Sequence, residues 1–185
     1  MPRQKTYDEA EVLNRAMQVF WKKGYTNTSA RDLQKEMKIN LFSIYSTFQN
    51  KEQLYLESLR AYKKLNKEQL LAPLKNGTTV ADIKNYFINF LEFTRENESY
   101  RGCLLINSTQ DLGVEMTEEI KKLVDGFATE IITIFKSILA KELDSEDMIQ
   151  KKANYYFTAL VSLVTTAGSL TQQQIDDYLE ITFSG

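Results

Sequence analysis

Between residues 8 and 23 the apolar side chains of Ala10, Leu13, Ala16, Met17 and Phe20 recur with the period of a helix, and Gly24 supplies a left-handed stop. A shorter pattern follows, with Ala30, Leu33 and Met37 on one face. Thr28 or Ser29 can cap that helix, and Asp32 places negative charge in its first turn. Lys38-Ile39-Asn40 is too polar and too short for a strand. Asn40 then caps a third helix, roughly 41–48, expected to bury Ile44 and Phe48. It leaves Leu41, Phe42, Ser43, Tyr45, Ser46 and Thr47 at least partly exposed. Two helices joined by a tight turn are the arrangement that sets a second helix into the DNA major groove.

From Asn50 a long helix runs to about residue 72, with Leu54, Leu56, Leu59, Tyr62, Leu65 and Leu70 as its apolar contacts and Pro73 as its stop. Thr79 can cap an aromatic-rich helix to about residue 97. After a break at 98–102 come a short apolar helix at 103–112, ended by Gly113, and helices at 116–143, 146–168 and 171–183. The fold class is all-α, about nine helices. Residues 1–50 form a helix-turn-helix domain and residues 51–185 a helical-bundle domain for effector binding and dimerisation. There is no internal repeat or low-complexity segment.

Composition removes several alternatives. The chain has no histidine and one cysteine. That excludes a Ser-His-Asp triad, a His-paired thiol, a Cys/His metal site and an internal disulfide. No catalytic residues, metal or cofactor are therefore expected, and the chain reads as a non-enzyme. The uncharged run 153–175 raises the question of a membrane span, but its many Thr, Ser and Gln side chains suit a buried or interface helix better. No signal peptide is visible, and a cytoplasmic location is expected. The net charge of −2 hides an asymmetry. Residues 1–60 carry ten Lys/Arg against seven Asp/Glu, +3, and the remainder carries thirteen against eighteen, −5. A basic head on an acidic body suits a DNA reader.

Two runs then carry a resemblance. Phe20-Trp21-x-x-Gly24-Tyr25-x-x-Thr28-Ser29 and Ile44-Tyr45-x-x-Phe48-x-x-Lys51-Glu52-x-Leu54 resemble the DNA-binding domain of TetR family transcriptional regulators, over about residues 7–60. Lys38 stands where that family usually has a turn glycine, and Gln34 where a small residue packs between helices. The resemblance implies phosphate contacts from Tyr45 and Lys51, with Thr28 and Ser29 adding hydroxyl or N–H contacts at a helix N-terminus. Arg31 and Lys35 can also face the backbone. Base readers are expected from Leu41, Phe42 and Ser43, with Ser46 and Thr47, beside capping Asn40. This surface is poor in bidentate purine readers, so Leu41 and Phe42 either meet thymine methyls or, for Phe42, pack on a neighbouring helix.

The resemblance also implies a homodimer, a double-stranded operator and a small-molecule effector. Pairing is expected through Leu160, Leu163, Ala167 and Leu170. An apolar or aromatic effector is expected among Tyr86, Phe90, Phe93, Cys103, Leu104, Asn107, Phe127 and Tyr156. The segment from Arg101 to Asn107, with Asp111-Leu112, resembles a stretch seen in one subset of the family. Cys103, with Arg101 two residues away, invites a redox reading or the simpler one of a buried apolar group. The leading function is a repressor released by its effector; an activator or DNA-bound adaptor is the alternative.

Overall fold

The structure, a computed structural model, describes residues 7–96 and 101–184. Among these residues there are nine helices and no strand. The head comprises α1 (Glu9–Lys23), α2 (Ala30–Met37) and α3 (Leu41–Phe48). α4 begins as Lys51–Asn66 and continues through a π turn, Lys67–Leu71, into a last turn, Ala72–Leu74. The body adds α5 (Val80–Glu96), α6 (Leu104–Leu112), α7 (Glu118–Leu139), α8 (Glu146–Thr166) and α9 (Gln172–Phe183). Residues 98–100 of the expected break lie outside the described residues.

Helix starts follow their caps. The Asn40 side chain accepts the Ser43 N–H at 2.8 Å, and Asn50 accepts that of Gln53 at 2.8 Å. Ser29, not Thr28, caps α2, in a reciprocal box with Asp32. Thr28 is buried and its hydroxyl donates to the Gly24 carbonyl at 2.6 Å. Gly24 does not take the left-handed helical shape expected of it. Its φ is +80° but its ψ is 169°.

Several expected core positions move. α1 buries Val12, Ala16, Met17, Val19, Phe20 and Trp21, whereas Ala10 is exposed and Leu13 half-buried. Ala30 and Phe48 are also only half-buried. Phe48 closes α3 just before Gln49, whose positive φ of 66° turns the chain away, so the ring lines a surface groove beside Leu13 and Gln53. Gln34 is exposed and wedges nothing between the helices. Lys38 does adopt the left-handed conformation, φ 56° and ψ 27°, that its position demands.

Pro73 does not stop α4 where expected. A proline in an α-helix clashes with the carbonyl four residues back and offers no N–H. Here the preceding turn widens instead, with the Ala72 N–H reaching the Lys67 carbonyl in a π pattern, and the helix runs on to Leu74. The Lys75-Asn76-Gly77 turn follows, closed by the Gly77 N–H to the Leu74 carbonyl at 2.9 Å.

The core is a continuous string of rings. Consecutive centroids lie 5.4 Å apart for Trp21–Phe93, 6.2 for Phe93–Phe90, 5.8 for Phe90–Tyr86, 5.9 for Tyr86–Phe135 and 6.5 for Phe135–Tyr156. Tyr156 then stacks on Phe183 of α9 at 5.0 Å. Such rings bury large apolar areas, and their edge-to-face contacts add directional preference.

The left-handed Lys38 yields a stability prediction. A β-carbon in that region costs roughly 1–2 kcal/mol that glycine avoids, set against glycine's entropy in the unfolded chain. Lys38→Gly is expected to raise the urea midpoint, by about 0.5–1 kcal/mol of stability on these figures. A lower midpoint would mean that the lysine side chain supports the turn.

Candidate nucleic-acid interface

α3 turns one face to solvent. Phe42 is 84% exposed, Ser46 and Asn40 are exposed, and Leu41, Ser43, Tyr45 and Thr47 are half-buried around them. Phe42 thus packs on no neighbouring helix. On α2 and at its cap, Ser29, Arg31 and Lys35 are exposed as well. Thr28 is the exception, because its hydroxyl is spent inside.

Two features of this surface have no local sequence signal. The Tyr7 hydroxyl pairs with Thr47 Oγ1 at 2.6 Å and reaches the Ser43 carbonyl at 3.4 Å, pinning the chain before α1 to α3. Lys51 holds its ammonium 4.3 Å from the centroid of the Tyr25 ring, a cation–π contact at the start of α4. Partial burial lowers its pKa. At the start of α2, hydrogen bonds from Lys23 and then Ser29 hold the Asp32 carboxyl well below the usual carboxylate range.

The head is locked to the body by a polar junction. Trp21 is fully buried, its indole N–H donates to the Gly102 carbonyl, and its ring meets Tyr62 of α4 at 4.8 Å. Asp111 accepts the Arg101 guanidinium at 2.6 Å and the Tyr25 N–H at 3.4 Å. The Thr26 hydroxyl donates to the Asp111 carbonyl at 3.0 Å. Gly24 and Gly102 are what the close approach requires. A Cβ on Gly24 would lie 2.1 Å from an Arg101 nitrogen, and one on Gly102 would lie 1.9 Å from the Val164 carbonyl. Both residues also have positive φ.

The eight effector candidates are all buried. Asn107 donates its amide to the Arg101 carbonyl, so it braces the junction. Cys103 is fully buried, and burial pushes its thiol pKa up, the reverse of what a reactive thiolate needs. Arg101, offered by sequence as its activator, is paired with Asp111 instead. The pairing residues also need correction. Leu160 and Leu163 are 0% and 1% exposed within one chain, turned into the core by the α7 and α5 side of α8. Ala167 and Leu170 are half-buried near the bend before α9. The exposed face of α8 and α9 carries Tyr155, Thr158, Ser162 and Ile181, of which Ile181 is 75% exposed.

A turn-linked pair of helices with one exposed face, fixed to a larger helical body, is the arrangement of helix-turn-helix DNA-binding proteins. Residues 12–58 match the family described as bacterial regulatory proteins, tetR family. The chain is 27% identical over 194 residues to YezE of Bacillus subtilis (strain 168), an uncharacterized HTH-type transcriptional regulator, covering 100% of this chain and 98% of YezE. It is 23% identical over 146 residues to the HTH-type transcriptional repressor ComR of Escherichia coli (strain K12), covering 78% of this chain and 70% of ComR. Among solved structures, a cysteine mutant of the TetR family transcriptional regulator CifR, complexed with 26 bp double-strand operator DNA, superposes with a TM-score of 0.82 at 22% identity, covering 99% of this chain and 98% of that one. Residues 12–58 thus carry a DNA-binding domain of the tetR family, and the chain as a whole is similar to HTH-type transcriptional regulators. Among the described residues no helix is long and apolar enough to cross a membrane.

The junction can be tested at Asp111. Asp111→Ala removes acceptors that serve both Arg101 and the Tyr25 amide, and leaving such groups unpaired costs about 1–3 kcal/mol. The variant is expected to lower the urea midpoint and to speed hydrogen exchange at the Tyr25 amide. Wild-type exchange at Tyr25 would show that Asp111 does not hold the head.

Proposed function

We propose that the chain is a homodimeric repressor. It binds a palindromic operator through α2 and α3 and leaves it when an uncharged small molecule enters the body. Residues 1–50 are the reading domain, and residues 51–185 pair and sense. The observation that carries this reading is the outward face of α3, where Phe42 and Ser46 are exposed and Tyr45 is half-buried, followed by Lys51 at the first position of α4. Such a surface offers phosphate contacts that position and apolar contacts suited to thymine methyls. ComR, a repressor by name, is a relative. Catalysis has no assigned residues, since the chain has no histidine and its single thiol is buried. The protein acts in the cytoplasm, where operator DNA is accessible.

Pairing is assigned to the exposed face of α8 and α9. Tyr155, Thr158 and Ser162 form an uncharged stripe at helical spacing, and Tyr178 donates its hydroxyl to the Ala159 carbonyl at 2.9 Å, tying the two helices together. A two-fold dimer through this face sets two heads for half-sites about 34–36 Å apart.

Two measurements check these assignments. On an operator fragment selected by the purified protein, each phosphate neutralised contributes about 0.9 to the slope of log affinity against log salt. Lys51→Ala is expected to flatten that slope by about 0.9. Tyr45→Phe is expected to weaken binding while leaving the slope alone. Unchanged affinity in both variants removes them from the interface. For pairing, Ile181→Glu is expected to sediment as a helical monomer with sharply reduced operator affinity. A fully dimeric Ile181→Glu protein would place the interface elsewhere. Leu163, being core, is not a valid probe of pairing.

A further inference from the structure

Among the described residues five buried side-chain atoms have no hydrogen-bond partner: the hydroxyls of Tyr55, Tyr62 and Tyr86, and both Nδ2 and Oδ1 of Asn66. Natural cores rarely tolerate such atoms, because each has given up water for nothing. Four of the five belong to one neighbourhood. Asn66 lies one helical turn beyond Tyr62 on α4, on the same face. Tyr62 and Tyr86 are bridged by Phe93 and Phe90, with ring centroids 6.0 Å apart for Tyr62–Phe93, 6.2 Å for Phe93–Phe90 and 5.8 Å for Phe90–Tyr86. The Tyr62 hydroxyl sits beside the Cys103 thiol and the Leu104 amide without an aligned hydrogen bond to either. Asn66 and Tyr62 are fully buried and Tyr86 nearly so.

We propose that Tyr62, Asn66 and Tyr86 are the polar receptor of the effector, and that the effector is an uncharged ring compound carrying a carbonyl or amide group. This rests on the effector-released reading above and deepens it. The three residues present hydrogen-bond donors from two phenols and one amide, with one amide oxygen as acceptor. A carbonyl takes the donors, and an attached N–H or O–H meets Asn66 Oδ1. No buried charged side chain is present among the described residues to pair with an ionised ligand, so an ion there is strongly disfavoured. Phe90 and Phe93 stand beside the two tyrosines as apolar walls.

The approach is through α4. Tyr86 also lines a surface groove of about 110 Å³ with Leu70, Pro73, Leu74, Asp82, Asn85 and Asn89. Leu70 belongs to the π turn, and Pro73 and Leu74 to the turn after it. Asn66 is the residue at which the π turn begins. A ligand bound to Asn66 therefore acts on the widened turn of the helix that leads to the head. π turns recur at functional sites.

Groups kept for a ligand, and not for stability, leave a signature in the free protein. Replacing an unpaired buried polar group by an apolar one of similar shape is neutral or stabilising, whereas replacing a water-satisfied one is destabilising. Asn66→Leu and Tyr86→Phe in the full chain are expected to keep helical circular dichroism and to raise Tm by about 2–4 °C. Benzamide at millimolar concentration is the probe. It is expected to raise the Tm of the wild type, more than toluene or benzoate does, and to lose that effect in both variants. A lower Tm in both variants means a structural network with bound water and overturns the proposal, as does a wild type that responds equally to all three compounds or to none. Benzamide that binds the wild type and not the variants, yet leaves operator affinity unchanged, supports the site and overturns the effector reading alone.

Discussion

The indole of Trp21 leaves the reading head and is buried in the body, between Tyr62 of α4 and Phe93 of α5, with its N–H held by the Gly102 carbonyl. A group of this size contributes a large apolar area and needs a partner for its one polar atom. Both conditions are met only if α1, α4, α5 and the loop before α6 keep one mutual arrangement. The rest follows from that constraint. Gly102 must be glycine because the Val164 backbone passes where a Cβ would stand, and Gly24 because its φ of 80° with ψ 169° is a conformation open essentially to glycine alone. Arg101 and Asp111 then reach the turn between α1 and α2 from the body side.

The consequence is mechanical. Three small helices form the head, and they depend on the body for their orientation. α4 is the one helix that caps the head at Asn50, packs against Trp21 through Tyr62, and ends beside the groove at Pro73. A ligand shifts such an arrangement only by binding its alternatives with different affinity. Rings in contact from Trp21 to Phe183 give a packed route between the head and α9. Contiguity alone is not coupling, which requires an element with two arrangements. The π turn is the candidate for that element, since relaxation to α geometry changes the register of everything after Lys67.

Much of this was legible in the sequence, and the reasons are local. Asn40, Asn50 and Ser29 stand where helix starts need acceptors, and α3 begins and ends where its cap and apolar pair place it. Helical period also located α5, α6, α8 and α9 to within a residue or two. What escaped depends on tertiary context. Periodicity shows that Leu160 and Leu163 share a face, but not that the face meets the chain's own core. Pro73 announces an irregularity without saying whether the helix breaks or widens. Arg101 was visible beside Cys103, but its partner Asp111 and the Tyr25 amide, 86 residues from Asp111, are brought together only by the fold. Asn66 gave no signal, since its meaning lies in the partners it lacks.

The central claim is that the Trp21 junction fixes the heads relative to the paired bodies. It is tested most directly by spin labels on Asn14→Cys, an exposed position of α1, in both protomers, in a Cys103→Ser background, with the distance distribution read by pulsed electron resonance. One narrow distribution is expected. Trp21→Phe, which keeps a ring but loses the bond to Gly102, is expected to broaden it. A distribution as narrow in Trp21→Phe as with the native tryptophan would contradict the account.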